Sequence, residues 1–114
     1  MAKYQLLAFT NPVAGREEEF NRWYQEQHIP DLLAVPGFVS AQRYELTDAT
    51  GSDNPGWTSL AVYELECDDP DALMAQVRSR LGTAAMPVSD SLEPGTFKGL
   101  IARAIATRLF SKSA

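Results

Sequence analysis

The sequence predicts an α+β domain with the element order β-α-β-β-α-β. Three observations predict it. Apolar residues recur at helical spacing in two segments, and short segments rich in β-branched and aromatic residues lie between them. A polar, turn-rich stretch over residues 48–56 separates two of the short segments. This order is typical of the ferredoxin-like fold, a four-stranded antiparallel sheet with both helices on one face. The length of 114 residues favours a single domain, residues 1–114.

The beginning of the chain is expected to form a strand and then a helix. Residues 3–10 predict a strand that is apolar on both faces and therefore lies inside a sheet. Residues 17–28 predict a helix, whose three leading glutamates complement the positive end of the helix dipole. Pro30 restricts the residue before it to extended conformations, so this helix is expected to end beside His28. Residues 30–34 could add one more turn.

A hairpin and a second helix are expected to follow. Residues 39–47 and 58–66 predict the two strands of the hairpin. The loop between them, residues 48–56, has no apolar anchor and is expected to be the most mobile internal segment. The second helix has a defined start, because Asp69 suits the N-cap and Pro70 suits the first helical position.

The end of the chain leaves one alternative open. Gly82 suits the end of the second helix, and residues 83–96 are expected to form an irregular loop. The tail over residues 97–110 carries apolar residues at helical spacing and also at alternating positions. Periodicity alone does not decide between a helix and a strand in a short apolar segment. The ferredoxin-like order requires a strand there.

The predicted sheet is apolar on both faces, although its two helices cover only one. An apolar face without helices is expected to be buried against another chain. The sequence therefore predicts a homodimer. The residues concerned belong to the first and third strands: Leu6 and Ala8 on one face against Leu7 and Phe9 on the other, and Leu60 and Val62 against Ala61, Tyr63 and Leu65.

Composition excludes several classes of function. A net charge of −5, with scattered basic residues, argues against a nucleic-acid partner. Cys67 is the only cysteine, so no internal disulfide is possible and a cytoplasmic location is expected. The apolar run at the N-terminus is too short for a signal peptide or a membrane span. One histidine and one cysteine cannot supply a zinc tetrad by themselves, so no metal is expected. The sequence has no Gly-rich loop of the kind that marks nucleotide sites, and no cofactor is expected either.

The only histidine, His28, ends an aromatic stripe on the first helix. The stripe follows the spacing i, i+3, i+4, i+7 and i+8, and its members are Phe20, Trp23, Tyr24, Gln27 and His28. The imidazole is therefore expected at the edge of the core, in a pocket between this helix and the sheet. An unperturbed imidazole titrates near neutral pH, so His28 is the candidate general acid or base.

Two neighbours are expected to assist His28. Asp31 would orient the ring or stabilise its charge, as a third group does for a catalytic base. Tyr24 would donate a hydrogen bond to a substrate oxygen. If Asp31 contacts His28, its charge and the helix end are expected to outweigh burial and raise the pKa of the imidazole. The alternatives are a histidine that only closes the helix end and an aspartate that only caps the next turn.

Further residues are candidates for substrate binding. Tyr44 and Tyr63 lie on adjacent predicted strands and could line a barrel interior together with Arg43. The guanidinium of Arg43, or that of Arg103, could hold an anionic substrate through two hydrogen bonds. Trp23 would add an aromatic wall. The alternatives are amphipathic sheet tyrosines, surface ion pairs of the arginines, and a core position for the tryptophan.

Three short motifs stand at fixed spacing within residues 20–44: Trp23-Tyr24, then His28-x-Pro30-Asp31-Leu32-Leu33, then Val35-Pro36-Gly37-Phe38. Together they resemble the EthD-like family. The resemblance implies that two ferredoxin-like protomers pack sheet to sheet into a dimeric α/β barrel. Similar proteins include decarboxylases and dehydratases of polyketide pathways, and related barrels include polyketide cyclases, lactone isomerases and haem-dependent monooxygenases.

These features predict a cofactor-independent enzyme of the lyase, isomerase or cyclase type that acts on an aromatic or polyketide-like compound. His28 would be its general acid or base. Because one fold hosts many chemistries, two alternatives stay open. The first is a non-catalytic binding or accessory protein for a hydrophobic metabolite or a partner oxygenase. The second is a haem-dependent monooxygenase.

Overall fold

Four antiparallel strands form one sheet in the computed structural model, which describes residues 1–51 and 56–113. The strands stand in the order β2-β3-β1-β4. Together with the helices they confirm the α+β class and are consistent with a ferredoxin-like fold. In chain order the elements are β1 (Ala2–Thr10), α1 (Glu17–Trp23), a π-helical turn (Tyr24–His28), α2 (Ile29–Leu33), β2 (Phe38–Glu45), β3 (Ser59–Cys67), α3 (Pro70–Arg80) and β4 (Lys98–Ala102).

The alternative left open for the tail is decided in favour of a strand. In β4, Gly99 lies opposite Ala8 of β1, so the strand completes the sheet at its edge. The residues after β4 leave the sheet. Ile105, Leu109 and Phe110 are almost fully exposed there. The 48–56 loop includes residues 52–55, which lie outside the described residues, so the mobility expected of this loop stays a prediction.

The two faces of the sheet differ in what covers them. On the face that carries the helices, the inward side chains of β1 and β3 are buried; they are Leu6, Ala8 and Thr10, and Ser59, Ala61, Tyr63 and Leu65. Phe20 and Tyr24 pack onto them from the helical segment. On the opposite face, which we call the free face, Leu7, Phe9, Leu60 and Val62 remain half-buried.

The sequence analysis expects the first helix to end beside His28, before Pro30. This expectation is wrong, because the chain stays helical through Pro30. Ile29 is helical, with φ −62° and ψ −47°, and its N–H donates to the carbonyl of Tyr24, five residues back. In a regular α-helix the Pro30 ring would clash with the carbonyl of Glu26, and a wider turn before the proline relieves such a clash. Pro30 then occupies the first turn of α2, where its missing N–H costs little.

The wider turn also changes which side chains face the core. In an uninterrupted α-helix Ile29 would lie about 140° around the axis from Tyr24. The π-helical turn contains one extra residue, which turns Ile29 towards the core again. Tyr24, Ile29 and Leu32 are therefore all buried. Gln27, which the α-helical stripe included, is exposed instead.

The remaining connections agree with their local sequence signals. Asp69 caps α3, because its carboxylate accepts hydrogen bonds from the N–H groups of Asp71 (3.0 Å) and Ala72 (3.2 Å). Gly37 turns the chain into β2 with φ +110°, and an added Cβ would lie 3.1 Å from a methyl group of Leu73. Within residues 1–51 and 56–113, no helix has the length and apolar character needed to cross a bilayer.

Candidate functional site

A cavity of about 400 Å³ lies between the helix-covered face of the sheet and the helices. It is built from β1, β3 and β4 on one side and from the first helical segment and α3 on the other. Most of its lining is apolar, as in most small-molecule sites. The lining residues are Leu6, Ala8, Thr10, Trp23, Tyr24, His28, Leu32, Tyr63, Met74, Val77, Arg78, Leu81, Val88, Leu92, Phe97, Gly99 and Ile101.

His28 reaches this cavity from the end of the π-helical turn. Its ring stacks on Trp23, with centroids 4.7 Å apart and planes at 25°, and stands edge-on to Tyr24 at 5.1 Å. The indole of Trp23 is fixed in turn, because its N–H donates to the carbonyl of Pro87 at 3.2 Å. The Nδ1 atom of His28 is buried and has no hydrogen-bond partner. The ring is therefore held in place by packing while a polar atom is left unpaired.

The environment keeps His28 uncharged at neutral pH. Burial lowers the pKa of the imidazole from 6.5 to about 4, and the charge of Asp31 opposes that shift only in part. The expected pairing of the two side chains is not made, since the carboxylate of Asp31 accepts a hydrogen bond from the amide of Gln27 at 2.8 Å. The pKa of His28 is therefore lowered, whereas the sequence analysis expected a rise if the contact were made.

Three hydroxyl groups lie at the sheet side of the cavity. The hydroxyl of Tyr63 donates to that of Tyr24 over 3.5 Å, a weak contact between buried groups. Burial raises the pKa of both phenols, so both stay protonated. The hydroxyl of Thr10 is buried without a hydrogen bond of normal geometry, although it lies close enough to Tyr24 to affect the pKa of that phenol. Thr10 and His28 thus both line the cavity, and each has a buried polar atom without a hydrogen bond of normal geometry.

Arg43 lies outside this cavity, on the other side of Tyr24. Its guanidinium lies 4.7 Å from the centre of the Tyr24 ring and donates to the side chain of Asn21 at 2.7 Å. Burial lowers the pKa of Arg43, while the neighbouring tyrosines raise it. Arg43 lines a second, more polar pocket of about 350 Å³ beside Tyr44. This pocket also contains Glu17 and other polar residues.

The structure separates the two tyrosines that the sequence analysis placed together. Tyr63 is buried on the helix-covered face, whereas Tyr44 is half-exposed on the free face. The pairing of β2 with β3 explains this, because Arg43 lies opposite Ala61 and Tyr44 lies opposite Leu60. Neighbouring residues of a strand point to opposite faces, so the expectation of a shared lining by Tyr44 and Tyr63 was wrong.

Four of the candidate residues meet in the cavity and four do not. Trp23, Tyr24, His28 and Tyr63 line it, while Asp31, Arg43, Tyr44 and Arg103 lie elsewhere.

The sequence analysis missed Thr10, Met74 and Arg78 as lining residues. A signal for them existed: Thr10 continues the alternation of Leu6 and Ala8, and Arg78 lies four residues after Met74 on one side of α3. Among the described residues, no group of three His, Cys, Asp or Glu side chains could hold a metal ion.

Comparison with known proteins identifies the fold but no family. No family model matches the sequence, and no curated protein matches it. A crystal structure from Shewanella loihica PV-4, provisionally described as a monooxygenase, aligns with a TM-score of 0.63 and 18% identity over 93% of this chain and 97% of that one. An EthD family protein from Bacillus halodurans C-125 aligns with a TM-score of 0.52 and 10% identity over 92% of this chain and 100% of that one. The chain therefore shares the α+β fold of these proteins.

Proposed function

We propose that the protein binds a small, largely apolar molecule in the cavity and that His28 moves a proton of that molecule. The observation that carries the proposal is the side chain of His28, which is uncharged at neutral pH and lines an apolar cavity of about 400 Å³. Pockets of this size and character are typical of small-molecule sites.

Because His28 is uncharged, it can act first as a base. At neutral pH the imidazole has a free electron pair, so it can take a proton from a carbon next to a carbonyl group and return it to another atom of the same molecule. The hydroxyls of Tyr24 and Thr10 are the groups available to hydrogen-bond the oxygen that gains charge. Such a proton shift is part of isomerase, lyase and cyclase reactions, and an aromatic or polyketide-like substrate would match the apolar lining.

Ligand binding is tested by filling the cavity. Val77 lines it from α3, whereas Ala75 of the same helix is exposed and does not. Titration calorimetry with 2-naphthamide, a neutral two-ring compound, should show binding to the wild type and to Ala75→Trp but not to Val77→Trp. Circular dichroism would establish that both variants are folded. Equal binding by Val77→Trp would show that the compound does not occupy this cavity.

Catalysis is tested at His28 once turnover of a compound is found. Loss of a general acid or base reduces turnover by about 10²–10⁴-fold, and His28→Ala should fall by that much. The affinity for 2-naphthamide should change far less, because apolar residues form most of the lining. Full turnover by a folded His28→Ala protein would exclude His28 as the proton carrier.

A second candidate is a non-catalytic binding protein for a hydrophobic metabolite. It is favoured by the low pKa of His28, because a group with a pKa of about 4 is a weak base. Mass spectrometry of a molecule that copurifies with the protein distinguishes the two. A binding protein would release it chemically unchanged after prolonged incubation, with wild-type and His28→Ala proteins behaving alike.

The geometry gives little support to a haem-dependent reaction. The Nδ1 atom of His28 is buried, and its ring is stacked on Trp23, so an iron atom could not approach that nitrogen without displacing protein atoms. The absorption spectrum of the purified protein in the visible range tests this alternative directly.

A homodimer through the free face is part of the proposal. Leu7, Phe9, Leu60 and Val62 form an apolar strip along the two central strands, and no helix covers it. Such a patch on a small protein is typical of an interface. A second copy of the chain is the occupant that we propose, since two such sheets facing each other would cover both strips at once.

A further inference from the structure

The charges around the cavity are unevenly distributed, and this bears on the ligand that it accepts. His28 is uncharged near neutral pH, and the two tyrosines stay protonated. Among the described lining residues, Arg78 is the only one that carries a full charge at neutral pH. The interior is therefore neutral, and one cation contributes to its wall.

Arg78 is well placed to meet a ligand from the solvent side. It is exposed, and it lies on α3 next to Val77 and four residues after Met74, which both line the cavity. Three basic side chains, Lys3, Arg16 and Arg22, form ion pairs with carboxylates. In the part of the chain that the structure describes, Arg78 forms none. Its guanidinium can therefore accept a carboxylate without giving up a protein partner.

The interior excludes an anion at any other position. A buried carboxylate without a cation is strongly unfavourable. The nearest internal cation, Arg43, lines a different pocket on the far side of Tyr24. A charged group could therefore lie only at Arg78, with the apolar part of the ligand inside.

We propose that the ligand is an amphipathic monoanion, with an apolar aliphatic or aromatic body in the cavity and a carboxylate at Arg78. This inference rests on the proposed binding function and names its ligand class. The volume agrees with a compact body: an apolar cavity of about 150 Å³ holds benzene, so about 400 Å³ gives room for two fused rings. Arg78 would determine specificity, because an arginine can hold a carboxylate through two parallel hydrogen bonds.

Two ligands of nearly equal shape test the proposal. 2-Naphthoate carries the carboxylate, and 2-naphthamide replaces it with a neutral amide. At neutral pH and low salt the wild type should bind 2-naphthoate about five-fold more tightly, the ratio that a good solvent-exposed ion pair provides. The preference should shrink in high salt, because ions screen an exposed pair.

Arg78→Gln should abolish the preference, so that this variant binds 2-naphthoate no more tightly than it binds 2-naphthamide. Arg80→Gln is the matched control, since Arg80 lies on the same helix but does not line the cavity, and it should keep the wild-type preference. Equal affinity of the wild type for both compounds, or a preference that survives in Arg78→Gln, would overturn the inference while the cavity remains a binding site. Failure of both compounds to bind the wild type would overturn this inference and the proposed binding function together.

Discussion

Protonation of His28 is expected to destabilise the folded protein below neutral pH. Burial holds the pKa of the folded state at about 4, against 6.5 for an exposed imidazole. Because the unfolded chain then binds the proton at higher pH, the free energy of unfolding has its full value above pH 6.5 and falls as the pH drops towards 4. At about 1.36 kcal/mol per pH unit, the complete loss is about 3 kcal/mol. Roughly 2 kcal/mol of it is lost between about pH 7.5 and about pH 5.

The single histidine makes the measurement simple. In protein without an affinity tag, the imidazole C–H resonances in an NMR titration belong to His28 alone. Denaturant unfolding of the wild type and of His28→Gln at both pH values then isolates the contribution of the imidazole, since both proteins share the same carboxylates. The wild type should lose about 2 kcal/mol more than the variant. A folded-state pKa at or above 6.5, together with equal pH dependence of the two proteins, would refute the reasoning.

Three further changes have defined outcomes. Asp31→Asn should lower the pKa of His28 further in the same NMR titration, because the carboxylate is the group that raises it; an unchanged pKa would contradict this. Thr10→Val should raise the free energy of unfolding by about 1 kcal/mol in denaturant, because the buried hydroxyl makes no hydrogen bond of normal geometry; a lower free energy of unfolding would show that its contact with Tyr24 is stabilising. Val62→Glu should give a monomer by light scattering at micromolar concentration, while Gln76→Glu on the exposed side of α3 should remain a dimer. A dimer in both cases would exclude the free face as the dimer interface.

Local signals in the sequence were sufficient for most of the fold. A short run that is apolar on both faces predicted β1, and the Asp69-Pro70 pair predicted the start of α3, because these signals depend on neighbouring residues alone. The segment that became β4 could not be assigned in this way. Its pairing with β1, which sets Gly99 opposite Ala8, is a contact between distant parts of the chain.

The same distinction explains which site residues were found. Trp23, Tyr24 and His28 share one helical segment, so their spacing brought them together in the analysis. Which face Tyr44 occupies depends on how β2 pairs with β3, and that pairing contains an irregularity near the start of β2. A shift of one residue in such a register moves every side chain to the other face. No pattern within β2 alone could therefore have excluded Tyr44 from the cavity.

Pro30 does not end the helix as expected, and this exception lies at the candidate site. A regular helix through this segment would turn Ile29 away from the core and press the Pro30 ring against a carbonyl group. The π-helical turn resolves both conflicts with one inserted residue, and the same turn ends on His28. Turns of this kind are less favourable than the α-helix and occur often at functional sites. Places where local rules fail tend to be places under functional constraint. The geometry at residues 24–30 thus supports the assignment of His28 to the functional site, independently of its pKa and of the cavity.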